Sequence, residues 1–443
     1  MLTLKLQSIM LVSIVLSSNL IGLPHLVDDK PIVLRTSNAK EGALPSPEPL
    51  EKVYDCTASH LSFINCSPWL NHVPNDGDYK KTIMVIDQGI PVDQWASLQI
   101  GGDNNYYVDI LSYWTWDVAN RKVVTYGYQG SETFDYLSNI EKKLGYNTAY
   151  KEHTFDHTFW VLSALASIAR GAKVIIVDIK TFDTDYGLSL GNGKFWDFLL
   201  ANIDSLNVGV IVTAIEWPSS AQNFYNSHVK RLYSKGIFMV TAIGNQGRDE
   251  SRGIPNSYPE FFPVSSIDHE NRGEWRTIGG TYLFYENYYS STGSLSGRSE
   301  YGISNCHDWK NARIICSSWG STSRPVRFAM PAHFITLMSY YFQGRVYPAV
   351  IGGTSIAAPM LAAAALVAIY AFNLGHYKTF GWYESPSLNL LVRMLERASS
   401  QPNNPDQFLG VGFINLGRLF DIAYSEGLNF IHPLSSGGNG NWL

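Results

Sequence analysis

A chain of 443 residues can bury one large core or two modest ones, and a hydrophobic content of 45% excludes an intrinsically disordered protein. The charged fraction is only 16% and the formal net charge −5, so there is no basic footprint for nucleic acid or another polyanion. Aromatic residues make up 13%, which suits aromatic packing within loops and does not by itself point to a ligand.

Residues 1–24 read as an export signal, with Lys5 near the start, an apolar stretch from Ile9 to Leu16, and then Ser17, Ser18 and Asn19. The apolar run is short for a bilayer span, so a secreted, extracellular protein is expected, the alternative being anchorage by an uncleaved segment. Residues 25–81 are polar and proline-rich (Pro45, Pro47, Pro49, Pro68, Pro74) and read as an N-terminal arm or short pro-segment. The four cysteines fall as two pairs, Cys56 with Cys66 and Cys306 with Cys316. Three connectivities exist for four cysteines, and the equal short spacings favour the two local bridges, which persist in an oxidising compartment.

The texture changes at Thr82. Thr82-Ile83-Met84-Val85-Ile86 has the pattern of a buried parallel strand and ends at Asp87-Gln88-Gly89. Residues 92–151 are aromatic-rich, with Tyr106, Tyr107, Trp114, Trp116, Tyr126 and Tyr128, and read as an insertion on one face. Regular alternation follows, with helices expected over 157–169, 194–206 and 221–235 and strands over 173–179, 208–215 and 237–243. The pattern predicts an α/β fold, a doubly wound, mostly parallel sheet with helices on both faces and aromatic-rich insertions. A second insertion runs from Gly273 to about Cys316, helical and turn segments from Ser387 to Glu426 close a domain spanning 82–430, and 431–443 is a flexible glycine-rich tail. The ligand crevice of such a sheet lies at the carboxyl ends of its strands, and Asp87 and Asn245 both fall just past such ends.

The stretch with the most chemistry is Ile351-Gly352-Gly353-Thr354-Ser355-Ile356-Ala357-Ala358-Pro359-Met360, followed by an apolar run to Phe372. Ser355 stands where a glycine-rich loop passes into a helix, with Pro359 expected in the first turn, where a missing N–H does no harm. A hydroxyl at that positive helix end can attack a carbonyl, because nearby amides favour developing negative charge. The same residues could be an ordinary capped helix start, or the run could be a membrane span; its alanine content and length favour a helix buried in a large core.

A nucleophilic serine needs a base, an acid to orient that base, and donors for the oxyanion. Asp87, followed by Gly89, is the candidate acid. His153 and His157 are candidate bases, of which His157 begins the apolar helix. Asn245, in Gly244-Asn245-Gln246-Gly247, could donate its amide to an oxyanion. No CxxC, HExxH, GxGxxG or phosphate-binding loop motif occurs.

These pieces resemble the subtilisin-like serine proteases. The Ser355 segment matches that family's Gly-Thr-Ser-x-Ala-x-Pro signature, and the others follow the family's chain order: Met84-Val85-Ile86-Asp87-Gln88-Gly89 resembles its aspartate strand, His157 to Val177 its histidine helix and the next strand, and Gly244-Asn245-Gln246-Gly247 its oxyanion loop. Ser317-Ser318-Trp319-Gly320 with Met330-Pro331-Ala332, and Leu409 to Asn415, are similar to the segments before and after the serine. The resemblance implies a serine endopeptidase with Asp87, His157 and Ser355 as a triad, Asn245 at the oxyanion, and Ala214, Ile215, Glu216, Trp217 and Gly244 along the substrate. It implies protein or peptide partners, no cofactor for the chemistry, and a structural calcium as an option for which no dedicated loop is visible. Two departures stand out. Thr158-Phe159 makes the helix entrance bulkier than usual, and Glu216-Trp217 replaces small residues, which predicts a narrowed pocket for the side chain preceding the scissile bond. The competing readings are a sedolisin-like acid protease, suggested by Glu152 and Asp156 four apart, and a secreted pseudoprotease or binding protein that keeps the fold.

Overall fold

The computed structural model describes residues 56, 59–74, 78–87, 108–117, 120–127, 157–179, 190–245, 249–267, 283–285, 314–332, 335–342, 345–351, 353–405, 407 and 409–431. The expected export signal, the tail beyond Ile431, His153, Glu152, Asp156, Gln246, Gly247 and Cys306 all lie outside these residues, as does the side chain of Cys316. Cys56 and Cys66 lie at disulfide distance, with Cα atoms 5.3 Å apart.

In chain order the elements are α1 (Ser59–Phe63), α2 (Ser67–Leu70), β1 (Thr82–Asp87), β2 (Val108–Asp117), β3 (Lys122–Gly127), α3 (His157–Ile168), β4 (Ala172–Asp178), α4 (Gly193–Asn202), β5 (Val208–Thr213), α5 (Lys230–Ser234), β6 (Phe238–Ala242), β7 (Phe261–Ile267), β8 (Leu283–Tyr285), β9 (Ile314–Cys316), β10 (Phe328–Pro331), β11 (Ile335–Phe342), β12 (Arg345–Ile351), α6 (Thr354–Phe380), α7 (Leu388–Arg397) and α8 (Leu416–Leu428). Among the described residues, eight strands form one sheet in the order β10-β7-β6-β5-β1-β4-β2-β3, parallel except for the antiparallel β2–β3 pair. From β1 the chain fills one side with β2, β3 and β4, then crosses to begin the other side at β5. That reversal makes the carboxyl ends of β1, β4 and β5 the switch point, where such sheets bind ligands.

Both faces of the sheet are covered. On one, Ile83, Val85, Val174, Ile176, Val210 and Val212 pack with α3, α6 and α8; on the other, Met84, Ile86, Ile175, Val177 and Ile211 pack with α4 and the 219–234 segment. A strand covered on both sides needs no polar residues, so β1 and β5 are buried from end to end. The arm also contributes: Leu61, Ile64 and Trp69 are fully buried in the first core, and the Trp69 indole donates to the Ile168 carbonyl at 2.8 Å.

The structure corrects three sequence expectations. Residues 92–151 are not simply an insertion, because β2 and β3 extend the main sheet at its edge. The helix expected over 221–235 is broken into a 3₁₀ turn (Ser219–Phe224), a π turn (Tyr225–Val229) and only then α5. Ser219, Ser220, Asn223, Asn226 and Ser227 compete for backbone groups and weaken a regular helix there. Strand β7 and the β11–β12 hairpin have no counterpart among the expected elements and complete the path to the serine loop.

Helix α6 runs through the middle of the molecule against α3, β5, β6, β7, β10, α7 and α8. It is apolar and long enough to cross a membrane, yet 89% of its most apolar window is buried within the protein, which accounts for its composition. Its contact with α8 is made by glycines on both helices. A Cβ on Gly375 would come within 2.1 Å of the Tyr424 carbonyl oxygen, and one on Gly427 within 2.1 Å of the Phe372 carbonyl oxygen. Neither obstacle is a flexible side chain, so the helices would have to part. Gly427→Ala is therefore expected to lower stability by about 3 kcal/mol, the upper part of the usual range for overpacking, as read by denaturant unfolding. A change below about 0.5 kcal/mol would mean the helices do not touch there.

Candidate active site

Asp87 is the last residue of β1 and is completely buried, its side chain on the same face as Ile83 and Val85. His157 opens α3 above that face. Its Nδ1 lies 2.9 Å and 2.8 Å from the two carboxylate oxygens of Asp87. A carboxylate only accepts, so Nδ1 carries the proton, and in the neutral ring Nε2 holds the basic lone pair. The bulk of Thr158 and Phe159 does not displace the ring from Asp87. Both are buried in the first core, with the Phe159 ring set edge-on to Trp160 at 5.3 Å.

Ser355 is the second residue of α6, and its hydroxyl donates to the Ala214 carbonyl at 3.1 Å, just past the end of β5. The preceding Gly353 has φ 140°, a conformation that residues with a Cβ rarely adopt. A Cβ there would also come within 3.5 Å of the Asn245 Nδ2. Pro359 lies beyond the first turn, contrary to the sequence expectation, because α6 already begins at Thr354. The N–H that would bond to the Ser355 carbonyl is therefore missing, and the proline ring crowds that carbonyl.

Asn245 follows β6. Its Oδ1 accepts from the Thr354 N–H at 2.9 Å and the Thr354 hydroxyl at 3.0 Å, while the Thr354 Oγ1 accepts from the Gly244 N–H at 3.1 Å. Because a backbone N–H can only donate, this contact assigns Oδ1 and leaves the amide NH₂ on the other side of the carboxamide. The Gly244 carbonyl accepts from the Ser318 N–H at 2.9 Å, so the loop is held from two directions. The sequence assigns no role to Thr354, although it stands inside the Gly-Thr-Ser signature.

The segment expected along the substrate divides. Ala214 and Ile215 are nearly buried, and Glu216 is exposed. Trp217, expected to narrow the substrate pocket, instead faces the second core. Its Nε1 donates to the Thr213 hydroxyl at 3.0 Å, and its ring packs on Trp196 at 5.3 Å and Phe261 at 5.1 Å. A large apolar ring is more stable in that aromatic cluster than in a wet crevice, so of the Glu216-Trp217 pair only Glu216 is presented to solvent. Among the described residues, no group of three or more His, Cys, Asp or Glu side chains could hold a metal ion.

The structure thus joins Asp87 to His157, Ser355 to Ala214, and Asn245 to Thr354, all at the carboxyl edge of the sheet. Helices α3 and α6, whose first turns carry His157 and Ser355, pack against each other. The sequence model of the subtilase family, Peptidase_S8, matches residues 167–412, more than half of the chain. This chain belongs to the subtilase family.

The family match takes in Asn245 and Ser355 of this subtilase and begins after Asp87 and His157. The chain is 30% identical over 136 residues to "Subtilisin-like protease 2" of Arthroderma otae and, at the same identity and length, to that of Trichophyton verrucosum. Each match covers 29% of this chain and 32% of the relative, so the subtilase spans about a third of the length of the curated relatives it matches. Its fold is similar to the crystal structure of a lanthipeptide protease, with a TM-score of 0.50 at 13% identity, covering 85% of this chain and 98% of that one.

Proposed function

We propose that this subtilase is a secreted serine endopeptidase that hydrolyses peptide bonds through an acyl-enzyme. The observation that carries the reading is the buried Asp87 carboxylate on the Nδ1 of His157, at the same sheet edge as the helix start bearing Ser355. A carboxylate so placed keeps Nε2 unprotonated and ready to take a proton, and then stabilises the imidazolium. His157 removes the Ser355 proton as Oγ attacks the peptide carbonyl, and returns it to the leaving amine. Water, activated by the same imidazole, then releases the acyl group. Side chains and backbone supply every group that this chemistry needs.

The oxyanion is held by the Asn245 amide and the Ser355 backbone N–H. Thr354 supports that role by bonding Oδ1, so the NH₂ group needs no reorientation as charge develops. Asn245→Ala should lower kcat by about 10²–10³ with a much smaller change in KM, since the oxyanion exists only in the transition state. An equal rise in KM at constant kcat would place Asn245 in ground-state binding instead. Substrate runs past Ala214, Ile215, Glu216 and Gly244, where the exposed Glu216 carboxylate favours basic over acidic side chains. Export is supported by the N-terminal charge and hydropathy pattern and by the Cys56–Cys66 pair.

Active-site labelling tests the whole reading. A fluorophosphonate should add once to the folded protein near neutral pH, and peptide mapping should find the adduct on Ser355. Failure of the folded protein to label, or a label on another serine, would return the chain to the pseudoprotease reading.

A further inference from the structure

Asp178 ends β4 as Asp87 ends β1, and the two are direct partners in the parallel register. Neighbouring strands lie about 4.8 Å apart, and side chains of paired residues share a face. On β4 that face is the one of Val174 and Ile176, on β1 that of Ile83 and Val85, all in the first core beneath α3. Asp178 is therefore a second buried carboxylate beside Asp87, with 4% of its surface exposed. From β2, the buried Tyr113 donates its hydroxyl to the Asp178 Oδ2. A hydrogen bond donated to a carboxylate favours its charged form, so the Tyr113 contact works against the effects of burial and of the neighbouring Asp87 charge.

We propose that Asp178, held by Tyr113, is a positioning residue whose negative charge acts through Asp87 to stabilise the imidazolium of His157. The proposal rests on the acyl-transfer reading for its catalytic meaning. Like charges this close cost energy when alone, and a cation that faces both lowers that cost. The cation available is the imidazolium, so the pair of carboxylates makes His157 a stronger base than one carboxylate would. Among the described residues, the titratable groups that strand alternation places on the face beneath α3 near these carboxyl ends are Asp87 from β1, Asp178 from β4, and Tyr113 and Asp117 from β2, and of these Asp87 touches His157. Asp117, at the end of β2, is engaged by Asn120 through its N–H at 3.1 Å and its side-chain amide at 2.6 Å. Lys173 and Asp109 sit at the opposite ends of β4 and β2, and α6 brings the uncharged Thr354 and Ser355.

The sign follows directly. Removing the Asp178 charge destabilises the imidazolium, so the His157 midpoint falls, and the acid limb of kcat/KM, which reports neutral His157, moves to lower pH. Asp178→Asn should shift that limb down by roughly half to one pH unit, within the range for a nearby charge, and lower kcat on the plateau. Tyr113→Phe should shift it the same way by less, and serves if Asp178→Asn does not fold. The His157 ring proton is also followed by NMR titration in the Ser355→Ala background, with and without each substitution, where turnover plays no part. A downward midpoint in both measurements supports the proposal. Variants that lose stability or kcat while the midpoint and the limb stay in place would overturn it, because a purely structural carboxylate gives that result. If the parent protein neither labels nor hydrolyses, the acyl-transfer reading fails, and the NMR midpoint still decides whether Asp178 and His157 are coupled.

Discussion

Ser355→Ala is expected to reduce peptide hydrolysis by on the order of 10⁶-fold, to the background left by oxyanion donors and substrate binding, and to abolish fluorophosphonate labelling. The fold should not suffer. The hydroxyl makes one described hydrogen bond, to the carbonyl of Ala214 just past the end of β5. Alanine is also the best residue for a helix, so α6 loses nothing in propensity. Circular dichroism and the unfolding midpoint should match the parent protein while activity disappears. Activity retained within tenfold would remove the serine from the chemistry and leave its helix start as architecture.

Asp87→Asn is expected to be nearly as damaging, at about 10⁴-fold in kcat near neutral pH. The substitution is isosteric, and the geometry can survive it. What changes is the proton inventory: an amide NH₂ turned toward Nδ1 makes that nitrogen an acceptor, so the neutral ring carries its proton on Nε2 and has no lone pair for Ser355. The same burial that isolates Asp87 from water makes the wrong tautomer hard to correct. If Asp87 were only a tie between β1 and α3, stability and activity would fall together. A melt unchanged within a few degrees beside a thousand-fold or greater loss of activity distinguishes the two.

Much of this arrangement was legible from the residues. β1 was read to within one residue because a strand buried on both faces is a solid apolar run, and the alternation from 157 to 243 made the parallel sheet. The places of Ser355 at a helix start and of Asn245 past a strand end were legible because glycine and asparagine mark abrupt changes of chain direction. The β2 strand was hidden by a register slip between Ile110 and Ser112 against β4, which breaks the period-two pattern that Val108 and Ile110 begin. Trp217 was misread because local sequence cannot tell which side of the sheet a residue past a strand end will face. Asp178 carried a usable signal, since it stands at a strand's carboxyl end like Asp87 and Asn245. Local sequence does not show that β1 and β4 pair in a register that sets it beside Asp87.

The Ser355 hydroxyl and the Ala214 carbonyl that receives it are 141 residues apart, and the helix behind the serine is the one that covers the inner face of β5, β6 and β7. During synthesis those strands emerge with their apolar side bare, and contacts of such long range form slowly. A ribosome must have passed the codons of α6, and of the α8 glycine that seats it, before Ser355 can meet Ala214. Completion of the candidate site is thereby tied to the closing of the core, and a chain that stops before α8 keeps the inner side of its sheet exposed.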